Sequence, residues 1–183
     1  METRRTEVIP HPQLLDMLFA FKGRVSGVFK DVLGLHEINH IAVSRINANH
    51  EILTFSSTPA MEFNLFSGNL WRFDKTYQPD WFERCTQAEW PSLYTQERYD
   101  ELYYIKQIKH HYPIGYSLAA KTDNAFFIYS LASSRACLKT GELFITHYED
   151  FYKIGQYCSN MLNSLFLTCD HSSSDLQPME AAV

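Results

Sequence analysis

Apolar residues recur at three- and four-residue steps in three stretches of the chain, a spacing typical of one face of an α-helix. The first stretch runs from Pro12, which suits a helix start, to Gly34, which suits a helix end. Its apolar stripe consists of Leu14, Leu18, Phe21, Val25, Val28 and Val32. The second stretch covers 95–109 and the third about 147–168, and a short helix is predicted over 60–66.

Two pairs of strand-like segments lie between these helices. Residues 37–46 and 51–56 are joined by the turn Asn-Ala-Asn-His, and residues 114–121 and 125–132 by the turn Thr-Asp-Asn. Each pair has the alternation and turn residues of a β-hairpin. The order helix, hairpin, helical segment, hairpin, helix predicts an α+β fold, an α/β/α sandwich with a central antiparallel sheet.

Length and charge limit the possible functions. With 183 residues, the chain is predicted to form one domain over 1–169, followed by a Ser-rich, polar tail at 170–183 that we expect to be disordered. The net charge of −5 argues against nucleic-acid binding, which usually requires a clustered basic surface. No window approaches 18 apolar residues, so we expect no membrane span.

The reactive side chains do not form a catalytic or metal-binding motif. The four cysteines have no CxxC spacing, which argues against a zinc site. The sequence shows no signal peptide, so we expect reduced thiols in a cytoplasmic protein, with Cys137 and Cys158 packed as small hydrophobic residues. The adjacent His110 and His111 would point about 100° apart on a helix, so they cannot share a metal ion there. We expect no cofactor, no metal and no enzymatic activity.

The segment between the two hairpins is rich in aromatic residues. A carboxylate, that of Asp74, directly follows one of its largely apolar runs. Residues 63–82 contain the seven aromatic residues Phe63, Phe66, Trp71, Phe73, Tyr77, Trp81 and Phe82. Asp74 follows Leu-Trp-Arg-Phe, where a carboxylate needs a polar partner. That partner is either Arg72 or a backbone amide, or it is a polar group of a bound ligand.

The same segment resembles part of a known family, the N-terminal autoinducer-binding domain of LuxR-type transcription regulators. In that family a strand ends before a proline, an aromatic helix follows, and an aromatic-x-x-Asp-Pro motif comes later. Pro59, Phe63, Phe66 and the run Trp71-Arg72-Phe73-Asp74 are similar to that series.

The resemblance continues downstream and covers roughly residues 12–168. Trp90, Ile114-Gly115 and Tyr129-Ser130-Leu131-Ala132 are similar to the family's later elements. The resemblance implies a PAS-like fold with a small-molecule pocket between the sheet and the helices around 60–110. It further implies that Asp74 accepts a hydrogen bond from a ligand amide, that Ser130 is a polar strand group and that Trp90 forms a pocket wall. The ligand-binding residues predicted on this basis are Phe63, Phe66, Trp71, Asp74, Trp90, Tyr116 and Ser130.

Three differences from the family pattern change the expected ligand and mechanism. Phe63 and Phe66 stand at the positions of a Trp and a Tyr that donate hydrogen bonds in the family, and Phe has no such donor. Lys75 replaces the proline after the aspartate. The family's helix-turn-helix domain does not follow before Val183, so we expect no direct DNA binding by this chain.

The sequence therefore predicts a non-enzymatic, cytoplasmic sensor of a small apolar or acyl-type ligand. It would be either a stand-alone domain or part of a longer regulator, and it would form a homodimer or a heterodimer with a full-length regulator. The alternative is a protein–protein interaction adaptor with a filled aromatic core. An open interior around Asp74 would favour the sensor, and a filled interior would favour the adaptor.

Overall fold

A six-stranded sheet forms the middle layer of the protein in a computed structural model, which describes residues 6–174. The strands are β1 (Ile9–Pro10), β2 (His40–Ile46), β3 (Glu51–Ser56), β4 (Gln87–Glu89), β5 (Ile114–Lys121) and β6 (Phe126–Ser133). Their order in the sheet is β1-β3-β2-β6-β5-β4. All neighbouring pairs are antiparallel except the short β1, which runs parallel to β3.

Eight α-helices lie within the described residues and pack around the sheet. They are α1 (Leu14–Met17), α2 (Lys22–Lys30), α3 (Pro59–Ser67), α4 (Pro79–Phe82), α5 (Trp90–Leu93), α6 (Tyr99–Tyr103), α7 (Leu138–Thr146) and α8 (Tyr148–Ser174). A π-helical turn at Tyr104–Ile108 directly follows α6. Within residues 6–174, no helix is both long enough and apolar enough to cross a membrane.

The alternation of side chains along β6 defines the two faces of the sheet. Phe127 packs edge-on against Phe166 of α8, and the Tyr129 hydroxyl hydrogen-bonds Ser159 of the same helix. Phe126 packs against Phe82 of α4, so the alternate residues face the segment between the two hairpins. The sheet thus separates α2, α7 and α8 from α3–α6, and this confirms the predicted α/β/α sandwich.

Both predicted hairpins are present, and their registers place the predicted core residues inside. Ile41 is fully buried opposite Leu131, and Phe127 is 6% exposed. The hairpin of β5 and β6 pairs Ser117 with Ser130, so both hydroxyls point towards the same face.

The structure differs from the sequence prediction in its helices. The first predicted helix is broken at Phe21, whose φ of 52° is left-handed, and only α1 and α2 remain of it. The predicted helix at 95–109 is divided into a short 3₁₀ turn, α6 and the π-helical turn. Strands β1 and β4 and helix α7 were not predicted.

The last predicted helix extends beyond its predicted end at 168. Helix α8 reaches Ser174, so the predicted disordered tail does not begin at residue 170. The remainder of that predicted tail, 175–183, lies outside the described residues.

Candidate functional site

The sheet face opposite α8 carries many small residues, which leaves space for large side chains between the strands and α3–α6. Across β2, β3, β5 and β6 the small residues of this face are Ala42, Ser44, Thr54, Ser56, Gly115, Ser117, Ala119, Ser130 and Ala132. Trp90 fills part of this space, because a Cβ atom at Gly115 would lie 2.2 Å from the Trp90 ring. Only glycine permits this close approach.

Asp74 lies in the layer above this face, and its side chain is fully buried. It caps the short 3₁₀ turn Lys75–Tyr77, and its Oδ1 accepts a hydrogen bond from the Thr76 amide at 3.0 Å. Its backbone forms a β-bridge with Tyr94, which fixes the residue between two chain segments. One of the alternatives left open by the sequence, a backbone amide partner, is thus present.

Lys106 provides the second partner of Asp74 and is itself 2% exposed. Its Nζ donates a hydrogen bond to Asp74 Oδ2 at 2.8 Å. The same ammonium group lies 4.3 Å from the ring centroid of Trp90 and 5.4 Å from that of Tyr94. Hydrogen bonding and cation–π contacts together compensate for the loss of water around this cation. Lys106 lies in the π-helical turn, a feature that is frequent at functional sites.

Two further titratable groups, His40 and Glu62, are buried in the same layer. His40 Nε2 lies 3.8 Å from Glu62 Oε1. Burial and, to a smaller extent, the charge of Lys106 lower the pKa of His40 to about 3, so its imidazole is neutral at pH 7. Burial raises the pKa of Glu62 to about 7, although Lys106 and a hydrogen bond from Ser56 act in the opposite direction.

Hydroxyl groups connect this cluster to the sheet. Thr76 Oγ1 lies 3.5 Å from Ser117 Oγ, which in turn lies 3.3 Å from Ser130 Oγ. On the other side, His40 Nδ1 lies 2.9 Å from Thr58 Oγ1. We give the name interior cluster to a set of buried polar residues and the aromatic residues around them. The set consists of His40, Glu62, Asp74, Lys106 and Ser130, with Phe66, Trp71, Trp90 and Tyr94.

Two indole groups at the interior cluster have no hydrogen-bond partner among residues 6–174. The Nε1 atoms of Trp71 and Trp90 are buried without an acceptor within the described part of the chain. A buried donor without a partner costs about 1–3 kcal/mol, so these groups would gain from an acceptor on a bound molecule. His40 Nε2 is likewise buried without a hydrogen-bond partner among the described residues.

Five of the seven predicted ligand-binding residues lie in this layer, and two do not. Phe66 stacks on Trp71 with 5.8 Å between ring centroids, and Asp74, Trp90 and Ser130 are placed as described. Phe63, by contrast, is 39% exposed and packs against Phe19 at the surface.

Tyr116 also lies apart from the other predicted residues. Its ring stacks on Phe144 of α7 at 4.9 Å, on the opposite side of the sheet from Ser130. Tyr116 is paired with Leu131 whereas Ser117 is paired with Ser130, and neighbouring residues in a strand point to opposite faces.

Lys106, Glu62 and His40 were not predicted as site residues. Lys106 comes four residues after the buried Leu102. In a regular helix over 95–109, Lys106 would therefore lie on the same apolar face as Leu102 and not on the exposed face. A cation at such a position needs a buried anion, and this is the signal that could have identified it.

The prediction for the cysteines is correct for Cys158 and wrong for Cys137. Cys158 is fully buried, and burial raises its pKa to about 12. Cys137 is exposed at the start of α7, where a hydrogen bond with Thr140 lowers its pKa. Cys137 stands at the N-cap of α7, outside the core, and its apolar neighbours in the sequence did not indicate this position. Within residues 6–174, no three His, Cys, Asp or Glu side chains are grouped so that they could hold a metal ion.

The arrangement of sheet and helices is the fold of the autoinducer-binding domains of LuxR-type regulators. Escherichia coli SdiA shares it with a TM-score of 0.53 at 12% sequence identity, over 77% of this chain and 61% of SdiA. SdiA in complex with octanoyl-rac-glycerol gives a TM-score of 0.53 at 10% identity, over 85% and 65% of the two chains.

A third structure, the VqsR LBD domain from Pseudomonas aeruginosa, gives a TM-score of 0.48 at 13% identity over 81% of this chain and 92% of that domain. No protein-family profile matches the chain, and no curated protein is similar to it in sequence. The chain spans a little under two thirds of the length of SdiA, and these identities show a common fold alone.

Proposed function

We propose that this chain is a non-enzymatic, cytoplasmic ligand-sensing domain that binds a small acyl-type molecule at the interior cluster. The observation that carries this proposal is the pair of buried indole donors, Trp71 and Trp90, which have no acceptor among the residues that the structure describes. They lie in the layer where the resemblance to LuxR-type domains predicts the ligand. The small residues of the sheet face provide a surface on which an apolar chain can pack.

The two indoles also supply hydrogen-bond donors that this sequence lacks at the family's donor positions. Phe63 and Phe66 cannot donate the hydrogen bonds made by the family's Trp and Tyr. Trp71 and Trp90 supply two donors instead, and these fit the carbonyl or hydroxyl oxygens of an acyl ester. Octanoyl-rac-glycerol, the molecule bound to SdiA in one of the compared structures, has this chemistry and is a suitable probe.

The carboxylate of Asp74 is not free to accept a hydrogen bond from a ligand without rearrangement. Both of its oxygens are already hydrogen-bonded, to the Thr76 amide and to Lys106. A ligand donor would therefore share the Asp74 carboxylate with Lys106 or displace the ammonium group. This requirement favours a hydroxyl-bearing head group, which can both donate to Asp74 and accept from Lys106.

Native mass spectrometry with octanoyl-rac-glycerol tests the proposal. Retention should fall in Trp71→Phe and in Trp90→Phe, which remove the N–H donor and keep an aromatic ring. Trp81→Phe is the matched control, since the third tryptophan is half-buried outside the cluster and should leave retention unchanged. Asp74→Asn should also reduce retention. If the folded protein retains no acyl ester, or if all three tryptophan variants retain it equally, the proposal fails.

The second candidate function is the interaction adaptor. It is favoured by the complete burial of Asp74 together with Trp90, Leu102 and Lys106, all of which are at most 2% exposed. An interior closed in this way needs no ligand to be stable. In this case the protein would act by pairing with itself or with a full-length regulator.

Dimerisation is part of both proposals and can be measured separately. Sedimentation velocity at several concentrations should show a dimer. A sensor should change its dimer fraction when octanoyl-rac-glycerol is added, whereas an adaptor should not.

A further inference from the structure

The ammonium group of Lys106 occupies a small cage inside the protein. Its Nζ atom lies 2.8 Å from Asp74 Oδ2, 4.3 Å from the ring centroid of Trp90 and 5.4 Å from that of Tyr94. A carboxylate and the face of an aromatic ring each attract a cation, and aromatic rings in this arrangement are typical of sites that bind organic ammonium ligands. We call Asp74, Trp90 and Tyr94 the ammonium cage.

The carboxylate of the ammonium cage is held by contacts that do not involve Lys106. The Thr76 amide donates a hydrogen bond to Asp74 Oδ1 at 3.0 Å. The backbone of Asp74 forms a β-bridge with Tyr94, which joins two walls of the cage directly. The position of the carboxylate is therefore set by the backbone around it.

The two aromatic walls are also held independently of the lysine side chain. The Trp90 ring packs against Gly115, where a Cβ atom would lie 2.2 Å from it. The Tyr94 hydroxyl donates to Gln107 Oε1 at 2.9 Å, and Gln107 Nε2 donates to the Pro113 carbonyl at 2.9 Å. Removal of the lysine side chain leaves these contacts intact, so we expect the cage to keep its shape.

The occupant of the cage comes from a different element, the π-helical turn Tyr104–Ile108. Lys106 is 32 residues away from Asp74 in the sequence, and its side chain is 2% exposed. Burial of an ammonium ion is costly unless charge and hydrogen-bond partners are provided, and the cage provides both. An occupant from one segment thus meets walls from another, which is the relation of a ligand to its site.

We propose that the ammonium cage is a binding site for a primary alkylammonium group, and that Lys106 is its resident ligand, supplied by the chain itself. In the wild type the lysine keeps external amines away from the Asp74 carboxylate. Without the lysine side chain, the cage accepts a free alkylammonium ion in its place. The inference goes beyond the acyl-type ligand of the proposed function and is tested without one, so the two can fail separately.

Thermal unfolding of the full-length Lys106→Ala variant tests the proposal with n-propylammonium as the probe. This ion matches the three methylene groups and the ammonium group that the substitution removes beyond Cβ. We expect n-propylammonium chloride to raise the melting temperature of Lys106→Ala by about 3–6 °C at about ten times its Kd. The wild type should not be stabilised, because its cage is occupied. 1-Propanol, which is neutral, and sodium chloride, which controls for ionic strength, should not stabilise either protein in this way.

Two further variants separate the cage from a simple cavity. Leu102→Ala removes a fully buried apolar side chain four residues before Lys106, and n-propylammonium should not raise its melting temperature. The double variant Asp74→Asn, Lys106→Ala keeps the vacated space and removes the charge of the carboxylate, so it should also show no shift. The absence of a shift in folded Lys106→Ala would overturn the proposal. Equal stabilisation by 1-propanol, or equal stabilisation of Leu102→Ala, would do the same.

A second measurement applies if Lys106→Ala is unfolded without the probe. Near-ultraviolet circular dichroism then follows folding as n-propylammonium is added. Recovery of the wild-type spectrum with n-propylammonium, and not with 1-propanol or sodium chloride, supports the proposal. No recovery with n-propylammonium at any soluble concentration would overturn it.

Discussion

Lys106 Nζ and Asp74 Oδ2 form an ion pair at 2.8 Å in which both side chains are almost completely buried. Removal of one partner leaves an uncompensated charge in the interior. We therefore expect Asp74→Ala and Lys106→Met each to lower the free energy of unfolding by about 3–5 kcal/mol. The double variant should lose much less than the sum of the two, as measured by urea denaturation.

An exposed pair of similar length is the control for this prediction. Arg98 and Glu101 are 2.7 Å apart with side chains 43% and 55% exposed. Arg98→Ala should change the free energy of unfolding by less than about 1 kcal/mol. Equal losses for Arg98→Ala and Lys106→Met would contradict the role assigned to burial.

Glu62 and His40 should have opposite effects on the pH dependence of stability. The pKa of Glu62 is raised from 4.5 to about 7, so the folded state holds this proton more tightly and loses stability as the pH rises through that range. The pKa of His40 is lowered from 6.5 to about 3, so the unfolded chain takes up this proton first. The folded state therefore loses stability as the pH falls below about 6.5.

Single substitutions should separate these two effects between pH 5 and 6. Relative to the wild type, Glu62→Gln should add a slope of about +1 kcal/mol of unfolding free energy per pH unit. His40→Gln should add a slope of similar size and opposite sign. Urea denaturation at pH 5.0, 5.5 and 6.0 measures both, and slopes of the same sign would contradict the assignment.

The two glycines in close contact with aromatic rings should not tolerate a methyl group. Gly115→Ala would clash with Trp90, and Gly155→Ala with Tyr129. Each should lower the free energy of unfolding by about 1–3 kcal/mol. Gly27→Ala in α2 meets no atom within 4 Å and should instead stabilise the protein by up to about 1 kcal/mol. Thermal unfolding of the three variants tests this ordering.

The exposed thiol of Cys137 and the two buried thiols should react at different rates. Cys137 is exposed and its pKa is lowered, whereas Cys158 and Cys169 are buried and their pKa values are raised. Brief treatment with iodoacetamide at pH 8 should modify Cys137 well before Cys158 or Cys169, because the thiolate is the reactive form. Peptide mass spectrometry locates the modification, and early labelling of Cys158 in folded protein would contradict the burial.

The hairpins could be predicted because their information is local. Alternation over β2 and β6 and the turn residues beside them specify strand, turn and face within about twenty residues. Strands β1 and β4 have only two and three residues, too few for a periodic pattern. Their pairing depends on distant partners, Glu51 for Ile9 and Tyr116 for Glu89.

The interior cluster shows where the sequence was insufficient. Asp74 was identified because a carboxylate after an apolar run needs a partner, but Lys106 lies 32 residues away and nothing local connects them. The π-helical turn that contains Lys106 could not be predicted either, since a regular helical pattern over 95–109 does not show an i→i+5 hydrogen bond. A shift of one position along β5 decides whether Tyr116 faces the interior cluster or α7. The family resemblance did not specify which of these two faces Tyr116 occupies.

Ser130 and Tyr129, consecutive residues of β6, belong to opposite faces of the sheet, so this one strand contacts both the interior cluster and helix α8. The two faces are therefore separated by a single layer of backbone. A shift of β6 caused by repacking around Ser130 would also move Tyr129 against Ser159 and Gly155 of α8, because interiors are close-packed and transmit strain.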